Sequence, residues 1–124
     1  MNSLFIEAND NTTPSVTLDK SKGVFEISGW SHPEDAIQFY APIFDWLNKY
    51  IAEPNGETTF KFHFQYYNTA SAKQVFRIIS LLEEIAKKSK TKIVWKYEGD
   101  DSDMLASGER FSKMSTVPFE FVVG

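Results

Sequence analysis

The hydrophobic period of the chain changes twice between residues 58 and 98, and this limits the possible folds more than any other feature. TTFKFHFQYY (58–67) alternates, which places Phe60, Phe62, Phe64 and Tyr66 on one side and Lys61, His63, Gln65 and Tyr67 on the other. After Ser71 the apolar residues recur every three to four positions, as in an amphipathic helix. TKIVWKYE (91–98) then alternates again. A strand, a helix and a strand in this order predict a parallel, right-handed crossover unit.

Further segments extend this unit on both sides. Ser31 and Glu34 have capping-box spacing, which predicts that a long helix starts there with Ile37 on its buried stripe. The remaining predicted elements are two hairpin strands, SVTLD (15–19) and GVFEISGW (23–30), a helix in DSDMLASGERFSKM (101–114) and a last strand in PFEFVV (118–123). The predicted order is therefore β-β-α-β-α-β-α-β.

This order predicts an α/β fold, a two-layer sandwich with a mixed five-stranded sheet. The central strands carry polar residues at alternate positions, whereas a sheet covered on both faces would be apolar throughout. We therefore expect the helices mainly on one face. The other face is predicted to be open, bearing Lys61, His63, Gln65, Lys96 and Glu120. The 124 residues suit a single domain, 1–124, in which residues 1–13 are expected to form a flexible arm.

Composition argues against several classes of function. Thirteen basic and seventeen acidic residues give a formal charge of -4, and the only basic cluster is KKSKTK (87–92), so nucleic-acid binding is not expected. The chain has no cysteine, and His32 and His63 lack partners at ligand spacing, so neither a metal-dependent enzyme nor a cofactor is predicted. No export signal or long apolar run is present. We expect a cytoplasmic protein that is not attached to a membrane.

One junction stands out as a candidate site. YNTASAKQ (67–74) joins the central strand to its helix and holds two hydroxyls, Thr69 and Ser71. The structural interpretation is that one hydroxyl, or the Asn68 amide, accepts a hydrogen bond from the first helical turn. The functional interpretation is phosphorylation, because free N–H groups and the helix dipole tolerate a phosphate there. Spacing alone leaves both interpretations open.

The chain resembles the SiaC family of bacterial regulatory phosphoproteins. The resemblance rests on YNT followed by a serine, LLEE, the W-x-Y strand, the acidic stretch, GE-x-F and the terminal PF, in that order. TTPSV and GVFEISGWSHPED, nearer the N-terminus, are similar as well, so the resemblance covers most of the chain. It implies a fold like that of the STAS-type anti-sigma factor antagonists.

The resemblance also implies a function. Thr69 is the expected phosphoacceptor, modified by a Ser/Thr kinase and restored by a PPM-type phosphatase. The unmodified protein is expected to bind and regulate a diguanylate cyclase, so the chain is a partner-switching adaptor and not an enzyme. The expected partner-binding residues are Tyr67, Asn68, Ser71 and Lys73, all next to the acceptor.

A second hypothesis needs no phosphorylation. The chain would then be a structural or interaction domain that dimerises through its open sheet face or a sheet edge, with the junction serving only as a helix cap.

Overall fold

The computed structural model describes residues 1–124. In chain order the elements are β1 (Leu4–Ile6), β2 (Ser15–Asp19), β3 (Val24–Ser31), α1 (Ala36–Tyr50), β4 (Glu57–Tyr67), α2 (Thr69–Ile85), β5 (Lys90–Tyr97), α3 (Ser102–Lys113) and β6 (Phe119–Val123). No helix is both long enough and apolar enough to cross a membrane.

The strands form one mixed sheet whose spatial order is the sequence order, from β1 to β6. β1, β2 and β3 are antiparallel neighbours, whereas β3, β4, β5 and β6 run parallel. The sheet has six strands, so the prediction of five was wrong. The additional strand, β1, lies within residues 1–13, the segment expected to be a flexible arm.

Contacts on the helix-bearing face hold β1 in place. Leu4 and Ile6 pair with Leu18 and Val16 of β2, and both pack against the core. The indole Nε1 of Trp46, on α1, donates a hydrogen bond to the Asn2 carbonyl at 2.7 Å. The contacts that order this segment come from residues far along the chain. In addition, three residues are too few to show the period of a strand, so the sequence did not predict β1.

All three helices pack on one face of the sheet, as predicted. The alternating residues of the central strands point into this layer, and the core there is strongly aromatic. The fully buried large side chains include Trp95, Tyr40, Tyr50, Phe60, Phe62, Phe64, Leu18, Ile27, Ile43 and Leu47. On the open face His63 Nε2 lies 3.3 Å from Glu98, and Lys92 Nζ lies 3.0 Å from Glu120.

The first helix begins later than the sequence predicted. Ser31 still pairs with Tyr67 as the last residue of β3, so its backbone is extended and it does not cap a helix. The N-cap is Asp35, whose carboxylate accepts a hydrogen bond from the Gln38 N–H at 3.1 Å. The register of the helix also differs from the predicted stripe, since Ile37 is 67% exposed.

A bulge near the end of β4 changes which side chains face the core. Gly29 pairs with Phe64 and Trp30 pairs with Tyr66, so Gln65 has no partner on β3. Gly29 has a φ of 117°, a conformation that glycine adopts far more readily than other residues. Because of this extra residue, Tyr66 and Tyr67 lie on the opposite faces of the sheet from those predicted. Tyr66 is 44% exposed, and Tyr67 turns toward the core.

Candidate functional site

The junction between β4 and α2 is fixed by hydrogen bonds to Asn68. Its backbone N–H donates to the Ser31 carbonyl at 3.0 Å, which ties the junction to the end of β3. Its side-chain Oδ1 accepts from the Ser71 N–H at 2.8 Å. Of the three capping candidates, the Asn68 amide is therefore the cap of α2.

Ser71 lies beneath the junction rather than on its surface. It is fully buried, and its Oγ accepts a hydrogen bond from Ser31 Oγ at 2.8 Å. Ser31 Oγ also lies 2.7 Å from the hydroxyl of Tyr40 on α1, and burial raises the pKa of Tyr40 to about 12. This buried hydroxyl network joins β3, α1 and α2. Partner contact was predicted for Ser71, but its burial leaves no surface for one.

Thr69 has the opposite environment. It is the first residue of α2 and is exposed. The N–H groups of Thr69 and Ala70 belong to the first turn of the helix and cannot bond within it. Lys73 follows one turn later on the same side of α2 and is also exposed. The site therefore combines an accessible hydroxyl with helix-terminal N–H donors and an ammonium group.

An open groove of about 1150 Å³ extends from Thr69 to the first turn of α1. We call it the α1–α2 groove. Its lining residues are Glu34, Asp35, Ala36, Ile37, Gln38, Phe39, Thr69, Ala70, Lys73 and Gln74. The groove has exposed apolar surface at Ile37 and carboxylates at Glu34 and Asp35, which lie just before α1 and line the groove together with the threonine. Added negative charge on Thr69 would meet these carboxylates across the groove.

A second depression, of about 460 Å³, lies on the other side of Thr69, and we call it the α2–α3 groove. It is lined by Thr69, Ala72, Lys73, Phe76, Arg77, Phe111 and Met114. Phe76 and Met114 are 40% and 56% exposed, so apolar surface borders Thr69. Arg77 is held over the ring of Phe44, 4.2 Å from its centroid. Thr69 and Lys73 belong to both grooves.

Tyr67 supports the junction from below. It is half-buried, with its ring 5.3 Å from that of Phe64 and 6.4 Å from that of Phe111. Burial raises the pKa of Tyr67, an effect that exceeds the opposing influence of Ser107 and Arg110. Of the four predicted partner-binding residues, Lys73 is exposed, Tyr67 and Asn68 are partly accessible, and Ser71 is buried.

Apart from Thr69, Lys73 and Ile37, the residues that line the two grooves were not singled out from the sequence. Phe76 could have been recognised, because it lies outside the buried stripe of Val75, Ile78 and Ile79 on α2. The approach of α3 could not, since it depends on how the helix packs over the sheet. No group of three or more histidine, aspartate or glutamate side chains is placed to hold a metal ion.

Comparisons with known proteins agree on one family and one fold. The model of the SiaC family of regulatory phosphoproteins matches residues 6–124. An uncharacterized protein of Pseudomonas aeruginosa (strain UCBPP-PA14) is 25% identical over 109 residues, covering 87% of this chain and 86% of that protein.

Two solved structures are similar over almost their whole length. A chain in the crystal structure of the diguanylate cyclase SiaD in complex with its activator SiaC, from Pseudomonas aeruginosa, has a TM-score of 0.89 and 24% identity, covering 98% of this chain and 99% of that one. A structure of SiaC from the same organism has a TM-score of 0.88 and 24% identity, with both chains fully covered. At these identities the likeness establishes the fold.

Proposed function

The chain belongs to the SiaC family of regulatory phosphoproteins, and from this we propose that it is a partner-switching adaptor controlled by reversible phosphorylation of Thr69. Its role is regulatory rather than catalytic. We also infer that the fold is of the STAS type, in which the acceptor hydroxyl follows a strand and opens a helix, as Thr69 does.

The observation that carries the proposal is the position of Thr69, exposed between two grooves at the start of α2. A phosphate there adds roughly two negative charges, which the helix terminus and Lys73 would stabilise. A partner that packs over the neutral threonine would instead have to bury this dianion, which is costly unless the partner itself supplies cations. Phosphorylation would thus leave the fold intact while excluding that partner.

The partner that we propose is a diguanylate cyclase, which the unmodified protein binds and regulates. Support comes from the family and from the likeness to the SiaC of the SiaD complex. We propose further that a Ser/Thr kinase adds the phosphate, that a PPM-type phosphatase removes it, and that the exchange takes place in the cytoplasm. The apolar side chains beside the acceptor, Phe76 and Met114, are suitable for contact with the cyclase.

Intact-mass analysis tests the acceptor. The wild type, Thr69→Ala and Ser71→Ala are each incubated with ATP and the candidate kinase. We expect one phosphate on the wild type and on Ser71→Ala, and none on Thr69→Ala. Phosphate retained by Thr69→Ala would refute the assignment, provided that circular dichroism shows that both variants are folded.

Binding measurements test the switch. Calorimetry with the candidate cyclase should give similar affinities for the wild type and Thr69→Ala, and a loss of at least about tenfold for Thr69→Glu. Phe76→Asp should also weaken binding, whereas Phe5→Asp, a matched change at a distant exposed phenylalanine, should not. If Thr69→Glu and the phosphorylated wild type bind the cyclase as tightly as the unmodified protein does, the hypothesis without a phosphoswitch is favoured.

A further inference from the structure

The two edges of the sheet are very different. β1 forms one edge with three residues, and such a short strand offers little backbone to a neighbouring chain. β6 forms the other edge with five residues, Phe119–Val123, and Glu120 is its single charged residue. The β6 edge is therefore the one able to accept another strand.

The backbone of β6 has a paired side and a free side. At its two ends, the Ile93 N–H donates to the Pro118 carbonyl and the Gly124 N–H donates to the Tyr97 carbonyl, both at 2.9 Å. Because backbone groups alternate in direction along a strand, the residues that bond to β5 are the even-numbered ones. The N–H and C=O groups of residues 119, 121 and 123 consequently point away from the sheet.

The common devices that protect an edge strand are missing from β6. It contains no lysine, no proline and no bulge. Its carboxylate, on Glu120, is paired within the chain with Lys92 at 3.0 Å. Phe121 and Val123 remain 36% and 61% exposed on the helix-bearing side. The edge thus combines free backbone groups with apolar side chains and little residual charge.

We propose that two copies of the chain pair through β6 in an antiparallel, two-fold symmetric dimer centred on Phe121. In this register Phe121 lies opposite its own copy and Phe119 lies opposite Val123, so every outward N–H and C=O group of the three residues finds a partner. Glu120 lies opposite Val122, so the two carboxylates are diagonal neighbours rather than directly opposite each other. The dimer joins the two sheets into one continuous sheet.

The two neighbouring registers of the β6 pair are less favourable than the one centred on Phe121. Pairing centred on Glu120 places two carboxylates directly opposite each other, which destabilises a strand pair. Pairing centred on Val122 shifts the contact toward one end of the strand and leaves Phe119 without a partner within β6, which ends at Val123. The edge is therefore most complementary to a second copy of itself in one register.

The proposed dimer is independent of the switch. β6 lies two strands away from β4, which ends next to Thr69, so the interface and the acceptor occupy different parts of the molecule. We expect Thr69→Glu to self-associate as the wild type does, even if it loses its partner.

Sedimentation equilibrium tests the dimer with a matched pair of variants. The mass of the wild type should rise toward twice that of the monomer between low and high micromolar concentration. Phe121→Lys should remain monomeric over this range, whereas Phe5→Lys, the same change on the β1 edge, should behave as the wild type. A wild type that stays monomeric, or association abolished by Phe5→Lys instead, would overturn the proposal.

Disulfide formation tests the register, because the chain has no cysteine of its own. Under mild oxidation Phe121→Cys should form a covalent dimer, since the Cα atoms of such a pair lie about 5.5 Å apart, within disulfide range. Glu120→Cys should react much more slowly, because its copy is displaced by two residues along the partner strand. Faster cross-linking of Glu120→Cys would contradict the proposed register.

Discussion

Two hydroxyls only two positions apart in the chain have opposite environments. Thr69 faces solvent, whereas Ser71 is buried and hydrogen-bonded to Ser31. Capping of a helix was one of the two interpretations of the junction, and the hydrogen bond to Asn68 confirms that it occurs. It could not assign the burial of Ser71, because that depends on Ser31 and on Tyr40, more than thirty residues away. The same hydrogen bonds keep the first turn of α2 in place beneath Thr69.

Replacing Tyr40 with phenylalanine should loosen this junction. The change removes a buried hydroxyl and leaves Ser31 with fewer partners, at an expected cost of about 2 kcal/mol in the free energy of unfolding. Urea denaturation measures the difference. Tyr66→Phe removes the same group from an exposed ring and should change stability by less than about 0.5 kcal/mol. Equal losses in the two variants would show that the buried network contributes little.

At the scale of single elements, hydrophobic period predicted the type and order of every helix and of five strands. The period failed where a backbone irregularity changed the side-chain direction. The bulge at Gln65 exchanges the sheet faces on which Tyr66 and Tyr67 lie. The sequence pattern could not predict this, because one unpaired residue within a run of aromatic residues does not change the hydrophobic period. The start of α1 was misplaced because the pairing of Ser31 with Tyr67 is a long-range contact.

The seating of α3 depends on a close approach at Gly108. A Cβ atom at this position would overlap the indole ring of Trp95, so Gly108→Ala should push the helix from the sheet. We expect a loss of about 1–3 kcal/mol despite the higher helix propensity of alanine. Gly56→Ala is the control, since a Cβ there meets nothing within 4 Å, and thermal unfolding of the two variants compares them. A Gly108→Ala variant as stable as the wild type would contradict this packing.

The attachment of α2 to the segment before β6 should depend on pH. A hydrogen bond from the Thr116 N–H, at 3.0 Å, and one from its hydroxyl, at 2.8 Å, hold the pKa of Glu83 below its usual 4.5. Because the pKa of Glu83 is lower in the folded protein than in the unfolded chain, the stabilisation is complete at pH values above the unfolded pKa. It is lost as the pH falls through the folded value.

Glu83→Gln should therefore be less stable than the wild type near neutral pH, by a fraction of a kcal/mol, since this carboxylate is screened by solvent. The difference should shrink as the pH is lowered below 4.5, the ordinary value for the group. Urea titrations at several pH values measure it. Glu84→Gln, which removes only an exposed pair with Lys87, is the control. A difference that stays constant with pH would rule out the contribution of the ionised carboxylate.

At the scale of the whole molecule, the sequence predicted an α/β fold with helices on one face of the sheet, and the observed layers agree with this. It missed β1, because the ordering of that strand depends on the whole fold. Leu4 and Ile6 can pack against the core only once β2 is in place. The carbonyl of Asn2 has a hydrogen-bond partner only once α1 brings Trp46 to it.

Deleting residues 1–7 should leave a folded but weaker protein. The truncated chain loses two partly buried aliphatic side chains and the hydrogen bond to Trp46, together worth about 3 kcal/mol. Chemical unfolding followed by tryptophan fluorescence measures the loss. Phe5→Ala, which alters only an exposed residue of β1, should cost little. Unchanged stability after the deletion would mean that the segment behaves as a flexible arm.

The rigid setting of Thr69 bears on how an enzyme could recognise it. Asn68 and Ser71 are both fixed by hydrogen bonds, so Thr69 is presented on a formed helix rather than on an extended loop. A short peptide with the same sequence would not keep that helix in water. An enzyme that modifies Thr69 must therefore read a folded surface instead of a linear motif, and its selectivity would come from the shape of the whole domain.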